Sequence, residues 1–335
     1  MNSFSEKPRK NRKKKYIFAV LVFCALSCSC GKKEESGNEQ MNATPQFQQQ
    51  ESVGQEENGS VEYRDNTSMV LVPQAVGTTV YQEGAVTVDA SDVSEGYVMV
   101  KYSGENPKIR MLLTGPSQIE YKYFIHGRDS YEAFPLSEGN GNYHLEVYEN
   151  LEGNSYALIY SLDFEAQMPD ENKAFLYANQ YVNYTNENQA VALARQLAET
   201  ACSDLEVVEN VYRYVTENIT YDYEKAGSVT SGYLPDIEDT LNEKKGICFD
   251  YAALMTAMLR TQRIPTRLEI GYREEVYHAW IGVYIPEQGW IDQIIVFDGE
   301  NWSLMDPTLA SDASESILEK YMENTDTYYQ LKFKY

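Results

Sequence analysis

Apolar and polar positions alternate with period two between residues 68 and 167, and breaks that contain Gly, Pro, Asn or Ser separate the apolar runs. Such alternation is typical of β-strands that bury one face. It predicts six short strands, at 86–88, 97–102, 109–113, 119–125, 143–148 and 156–164. Several short strands at this spacing are typical of a β-sandwich. We therefore predict an all-β, immunoglobulin-like sandwich domain at residues 68–168.

The period changes after Pro169, where apolar residues begin to recur at intervals of three and four. This pattern predicts helices at 187–201, after Ser203 and after Cys248. Ser203 and Glu206 have the spacing of a capping box, which opens the second of these helices. Alternation returns at 268–272 and 278–285, and residues 330–335 are predicted to close the sheet as a final strand. Helices followed by an antiparallel sheet are typical of an α+β domain, which we predict at residues 169–335.

The N-terminus has the order of a secretory signal. Seven basic residues lie within residues 1–15, residues 16–25 are mostly apolar, and small residues and cysteines follow. The apolar run is shorter than the roughly 20 residues of a membrane-spanning helix, so a signal peptide is predicted at 1–29. A cysteine directly behind small residues resembles the lipid-bearing position of bacterial lipoproteins. Cys30 is the first candidate for lipidation and Cys28 the second, and an uncleaved short anchor is the alternative.

Residues 30–67 are rich in Glu, Gln, Asn, Ser and Gly and contain few aromatic residues. A segment of this composition buries too little apolar surface to offset the entropy of ordering, so we predict a disordered acidic tether. With a lipid at its start, the tether would hold the protein at the extracytoplasmic face of the cell membrane.

Charge excludes one class of partner. The chain carries a formal net charge of −23, and after the basic N-terminus the remaining residues comprise 21 bases against 50 acids. So acidic a body repels phosphate groups, and therefore no nucleic acid partner is expected. No pair of His or cluster of Cys lies at metal-ligand spacing after residue 169, so neither a metal nor a cofactor is expected.

Three residues of the C-terminal half have the types and order of a thiol catalytic triad. Cys248 lies at the first turn of the third predicted helix, where free amides and the helix dipole are expected to lower a thiol pKa. His278 is the only histidine after residue 144, and it opens a predicted strand. Asp306, which Pro307 follows, is the candidate that would orient the imidazole. Residue types alone leave a buried Cys248, a packed His278 and a turn-capping Asp306 equally open.

The local sequence around these residues resembles the transglutaminase-like superfamily. Residues 245–252 (KGICFDYA) resemble its nucleophile motif, residues 277–280 (YHAW) its histidine motif, and residues 304–308 (LMDPT) its aspartate motif. Residues 218–223, ahead of the cysteine, are also similar to an upstream segment of that family. The resemblance covers about residues 170–335 and implies a papain-like fold with Cys248, His278 and Asp306 as the triad. Asp292, in the string 289–292 (GWID), is the alternative third member.

The other site residues are less sharply indicated. The backbone amide of Cys248 is the expected first donor to an oxyanion, and Tyr221 or Tyr223 could supply a second or could simply be core residues. Asp250 is expected to cap the helix. Cys202 is expected to be a small buried hydrophobe, and a Cys202–Cys248 disulfide is the alternative for both thiols.

The implied chemistry is acyl transfer on peptide or protein amides through a thioester, which makes the chain a cysteine peptidase, an amidase or a transglutaminase. The alternative is a catalytically idle module that binds a protein or cell-wall ligand at the cell surface. The sequence does not indicate an oligomeric state.

Overall fold

Sheets dominate the first half of the chain and helices begin the second half in the computed structural model, which describes residues 62–273, 276–297, 302–304 and 329–335. The described part of the first half, residues 62–168, contains eight strands. They are β1 (Val80–Glu83), β2 (Val86–Asp89), β3 (Tyr97–Tyr102), β4 (Ile109–Thr114), β5 (Glu120–Ile125), β6 (Tyr131–Pro135), β7 (Gly141–Glu152) and β8 (Ser155–Ala166).

These strands form two four-stranded antiparallel sheets, in the orders β1-β2-β3-β6 and β5-β4-β7-β8. Alternation shapes them as expected, since Ile109, Met111 and Leu113 of β4 are buried while the residues between them are half-buried. All six strands predicted from the sequence are present. Strands β1 and β6 were not predicted. The residues of β1 are all exposed, and buried and exposed residues do not alternate along β6. The immunoglobulin-like sandwich assignment stays a prediction.

The segment ahead of the first sheet contacts the second half of the chain. The Met69 amide donates to the Thr261 carbonyl at 2.8 Å, and Asp65 pairs with Arg263 at 2.7 Å. The Arg64 amide donates to the Ala201 carbonyl at 2.8 Å. The boundaries predicted at 67/68 and 168/169 stay predictions, and residues 64–69 already lie against the helices.

The second half begins with a 3-10 helix (Glu171–Phe175) and continues with five α-helices among the described residues. They are α1 (Gln189–Leu197), α2 (Asp204–Asn218), α3 (Tyr223–Ser228), α4 (Ile237–Glu243) and α5 (Cys248–Thr261). None of the helices in the described ranges is long and apolar enough to cross a membrane.

Helix α2 begins where its capping residues predict. The Ser203 hydroxyl accepts from the Glu206 amide at 3.2 Å, and the Glu206 carboxylate accepts from the Cys202 amide at 2.6 Å. Cys202 itself is exposed and free, so the expectation of a buried residue is wrong. The reason is local: Cys202 precedes the cap and turns its amide, not its side chain, toward the helix.

Helix α5 is the centre of the second half. Every residue from Asp250 to Thr261 is buried, as expected of a helix that is apolar on nearly all sides. Helices α1, α2 and α4 pack around it, and strands β11 (Thr266–Arg273) and β12 (Val276–Ile285) cover its remaining side. Its position decides where Cys248, its first residue, lies.

The sheet beside α5 has five antiparallel strands in the order β14-β13-β12-β11-β15. The outer strands are β13 (Gly289–Phe297), β14 (Trp302–Leu304) and β15 (Tyr329–Lys334). The predicted final strand is confirmed as β15, which pairs with β11. Two further short strands, β9 (Thr220–Tyr221) and β10 (Lys245–Gly246), pair in parallel ahead of α5.

Aromatic contacts join the two halves into one continuous buried core. The ring of Tyr335 lies 5.6 Å from that of Tyr121 and 5.8 Å from that of Tyr123, both on β5. Tyr335 also packs against Tyr181, which in turn contacts Phe249 beside the candidate nucleophile. The sheets of the first half therefore support the start of α5 through a row of rings.

Arg260 is the main polar link across this core. Its guanidinium is fully buried and donates to the carbonyl oxygens of Thr266, Tyr177 and Tyr335 at 2.9, 2.7 and 2.7 Å. Burial lowers its pKa to about 10, which still leaves it charged near neutral pH. One side chain thus joins α5 to a loop, to the start of β11 and to the end of β15.

We expect Arg260→Met to lower the free energy of unfolding by about 4 kcal/mol, because three carbonyl oxygens at the core each lose a charged donor. Chemical denaturation of the purified protein measures this difference. The control is Arg213→Met, which removes an exposed i,i+4 pair with Glu209 and should change stability by no more than about 0.5 kcal/mol. Equal effects of the two substitutions would contradict the role given to Arg260.

Candidate active site

Strand β10, which pairs with β9, leads directly into the first turn of α5. The Asp222 amide donates to the Gly246 carbonyl at 2.8 Å, and the Thr220 amide to the Lys244 carbonyl at 2.9 Å. Gly246 is needed for this approach, because a Cβ there would lie 2.8 Å from the Asp250 Cβ. Ile247 is the N-cap residue and Cys248 the first residue of the helix. The glycine and cysteine thus lie where the sequence predicts.

The thiol of Cys248 is half-buried and surrounded by backbone donors. Amides of Ala279 and Phe249 donate to it, which favours the thiolate. Burial and the negative charge of Asp250 act the other way, and burial is the larger effect, so the pKa of the Cys248 thiol is raised above its ordinary value. This direction is opposite to the one expected from the helix start alone. The resting site therefore holds a neutral thiol near neutral pH.

His278 is one peptide unit away from a donor to the thiol. It lies near the start of β12, opposite Gly271 of β11, and its side chain is buried. The next residue, Ala279, donates its amide to Cys248. The cysteine and histidine singled out from the sequence thus belong to two elements, α5 and β12, that pack directly against each other.

Asp306 lies outside the described residues. Strand β14 ends at Leu304, which is level with Ile281 of β12 across the intervening β13. The third member of the triad therefore stays a prediction.

Asp292 lies on β13 close to Gly282, where a Cβ would come within 3.1 Å of the Asp292 carboxylate. Gly282 lies four positions after His278 on β12, a distance of about 13 Å along a strand. Asp292 instead pairs with Arg267 at 3.4 Å and accepts a hydrogen bond from the buried Glu269 carboxyl. Burial, followed by the charge of Asp292, raises the pKa of Glu269 to about 8, so this carboxyl carries the shared proton at neutral pH. These partners hold Asp292 away from the histidine.

Tyr221 and Tyr223 differ in their relation to the nucleophile. The Tyr221 phenol oxygen accepts a hydrogen bond from the Cys248 backbone amide, and burial raises the pKa of Tyr221 to about 12. Tyr223 is exposed, and its ring packs edge-on against that of Tyr221 at 4.9 Å. Of the two oxyanion candidates, Tyr221 is the one whose hydroxyl reaches the site.

Sequence reasoning missed two residues that converge on the same turn. Lys225 and Tyr233 both bind the carboxylate of Asp250, the expected helix cap. Asp250 does cap α5, accepting from the Ile247 amide at 2.8 Å. No spacing or motif pairs Lys225 with Asp250, which is 25 residues away, so only the fold brings them together.

Two further possibilities for the site are a disulfide between the chain's cysteines and a bound metal ion. Cys202 and Cys248 are both free thiols, so the alternative disulfide between them is absent. Within the ranges that the structure describes, no group of three or more His, Cys, Asp or Glu side chains is arranged to hold a metal ion.

Comparison with known proteins supports the same region. Residues 191–293 match the model of the transglutaminase-like superfamily, a range that contains Cys248 and His278 and ends before Asp306. UPF0252 protein MJ1282 of Methanocaldococcus jannaschii is 34% identical over 90 residues, which are 23% of this chain and 26% of that protein. The chain thus matches about a quarter of this curated relative's length.

Solved structures give weaker matches. A candidate cysteine protease from Cytophaga hutchinsonii aligns over 68% of this chain and 73% of its own, with 17% identity and a TM-score of 0.31. Red sea bream transglutaminase aligns over 63% of this chain and 48% of its own, with 15% identity and a TM-score of 0.25.

The family model covers helices α2 to α5 and strands β9 to β12, which are the elements that hold Cys248, His278 and Tyr221. Residues 191–293 of this chain form a transglutaminase-like domain.

Proposed function

We propose that the chain is a thiol-dependent acyl-transfer enzyme that acts on peptide or protein amides, with Cys248 as nucleophile and His278 as general acid and base. One observation carries the proposal: Cys248 is the first residue of α5, and α5 packs directly against β12, the strand on which His278 is buried near its start. The family match of residues 191–293 supports it.

Because the resting thiol is neutral, attack on the substrate is coupled to proton transfer. His278 takes the proton from the sulfur as the sulfur bonds to the amide carbonyl carbon. The imidazolium then protonates the departing amine as the carbon–nitrogen bond breaks, which leaves a thioester. Water resolves the thioester in a peptidase or amidase, and a second amine resolves it in a transglutaminase. Asp306 would hold the imidazole in the required tautomer.

The oxyanion of the tetrahedral intermediate has two candidate donors. In the resting site the Cys248 amide is engaged by the Tyr221 oxygen, so a substrate oxygen must displace that oxygen to bind the amide. A displaced phenol beside the amide can turn its own hydrogen toward the oxyanion. The raised pKa of Tyr221 keeps this hydrogen in place at neutral pH.

A second candidate function is a catalytically idle module that binds a protein or cell-wall ligand. The raised pKa of the Cys248 thiol favours it, because many reactive cysteines have lowered pKa values. The two functions differ in whether the sulfur forms a covalent intermediate.

Peptide libraries, incubated with and without an amine acceptor, separate these functions. We expect the wild type to cleave peptides or attach the amine, and Cys248→Ala and His278→Ala to lower the rate by at least about 10³-fold. Cys202→Ala is the matched control, because it removes the exposed free thiol and should leave the rate unchanged. A wild type that binds peptides without turnover would support the idle module, and full activity of Cys248→Ala would overturn the assignment.

The third triad member is tested by three asparagine variants. Asp306→Asn should lower kcat by at least about 100-fold, because the imidazole loses its orienting acceptor. Asp292→Asn, whose side chain faces Glu269 and Arg267, should keep near-wild-type kcat. Asp298→Asn is the second comparison, since Asp298 directly follows the last residue of β13. If Asp292→Asn or Asp298→Asn lost activity while Asp306→Asn stayed active, the third triad member would be the aspartate whose substitution abolished activity.

We also propose that the chain acts at the extracytoplasmic face of the cell membrane, held by a lipid on Cys30 or Cys28. The basic, apolar and small-residue order of the N-terminus supports this proposal. Mass spectrometry of the mature N-terminal peptide should find a lipid-modified cysteine as its first residue. An unmodified Met1 or an unmodified cysteine would refute it.

A further inference from the structure

Three donors from three elements converge on the carboxylate of Asp250. The Ile247 amide and the Lys225 ammonium reach Oδ2 at 2.8 and 2.7 Å, and the Tyr233 hydroxyl donates to Oδ1. The side chain of Asp250 is fully buried. Burial of a charged carboxylate is costly unless it is paired and hydrogen-bonded, so each of these donors offsets part of that cost.

Asp250 is also the acidic group closest in sequence to the candidate nucleophile. It follows Cys248 by two residues in the first turn of α5, and its negative charge raises the pKa of the thiol, after burial as the larger cause. The carboxylate that caps the helix therefore disfavours the thiolate form of Cys248. A cation on the same carboxylate reduces that effect.

Lys225 is placed to supply the cation. It lies on α3, which begins two residues after Tyr221, so the segment that brings the phenol to the Cys248 amide also brings the ammonium to Asp250. The ammonium lies 4.6 Å from the centre of the Tyr233 ring, which favours a cation there. Lys225 remains 32% exposed, so it can be replaced without opening a large cavity.

We propose that Lys225 is a positioning residue for the nucleophile, which neutralises the Asp250 carboxylate and holds it beneath the first turn of α5 so that the Cys248 sulfur can ionise during the reaction. The proposal rests on the proposed function only in taking Cys248 as the nucleophile. Lys225 acts through Asp250 and contacts neither the sulfur nor the reacting atoms.

Other charged or titratable groups also lie near this turn. They are the same in every Lys225 variant, so they do not contribute to differences between the variants. Tyr221 and Tyr223 lie near it on β9 and α3, and Tyr233 lies on the loop before α4. His278 lies on β12, which packs against α5. The further members are Asp222, Lys245, Asp236 and Asp239.

The test follows the pH dependence of iodoacetamide alkylation in the full-length protein, with the label on the Cys248 peptide measured by mass spectrometry. We expect Lys225→Met to move the midpoint for Cys248 to higher pH by about one unit, because an unpaired negative charge then lies beside the sulfur. Lys225→Arg should retain the wild-type midpoint. Exposed Cys202, labelled in the same samples, is the internal reference for the extent of alkylation.

Two controls separate this role from a structural one. Lys173→Met removes a lysine of similar exposure that is ion-paired with Glu95, and should leave the Cys248 midpoint unchanged. In an Asp250→Asn background, Lys225→Met should no longer move the midpoint, since the charge to be neutralised is gone. Lys225→Gln replaces Lys225→Met if the methionine variant fails to fold.

An unchanged midpoint in Lys225→Met and Lys225→Gln would overturn the proposal, as would the same shift with Asp250→Asn present, which would show a direct effect on the sulfur. A lower melting temperature without a shift would show a structural role only and would also overturn it. Alkylation needs no substrate, so a wild type without turnover would refute the proposed function while the midpoint shift could still stand.

Discussion

A buried carboxylate at the first turn of α5 is the constraint on which the candidate site depends. The Asp250 carboxylate accepts a hydrogen bond from the Ile247 amide at the start of the helix. The loop at Gly246 has no room for a larger residue, because Asp250 packs directly against it. The same carboxylate requires Lys225 and Tyr233 as partners, and this requirement draws the segment after β9 over the turn. Satisfying one buried charge thus positions the thiol, the phenol of Tyr221 and the α3 cation together.

The packing of the rest of α5 fixes the position of its first turn. Helix α5 is buried along its length, so its first residue cannot move without disturbing the packing of α1, α2, α4 and the sheet. Arg260, at its far end, fastens the helix to three separate stretches of chain through their carbonyl oxygens. Rings that run from β5 through Tyr335 and Tyr181 to Phe249 add support from the first half of the molecule.

Burial has a direct chemical consequence at the nucleophile. A thiol at a helix start gains from the amides, but here the loss of water outweighs that gain and the thiol stays protonated at rest. In the proposed mechanism, ionisation of the thiol is therefore coupled to substrate binding and to proton transfer to His278.

Patterns that depend on neighbouring residues were sufficient to predict much of this protein. Period-two alternation located six of the eight strands in the first half, the Ser203 and Glu206 pair located the start of α2, and the motif around Gly246 located Cys248 at the start of α5. These features are local, because side-chain direction and helix caps depend on residues a few positions apart. The exposed β1 and the short helices α3 and α4 have no such periodicity, and the sequence did not indicate them.

Only the tertiary structure decided which distant residues meet. It placed the amide after His278 against Cys248, brought Lys225 and Tyr233 to Asp250, and paired Asp292 with Glu269 away from the histidine. It also reversed the expected direction of the thiol pKa, because desolvation depends on what packs around a group and not on its place in a helix. Sequence by itself determined the residue types and the local elements; the packing of α5 determined their chemistry, since burial and pairing are properties of the whole fold.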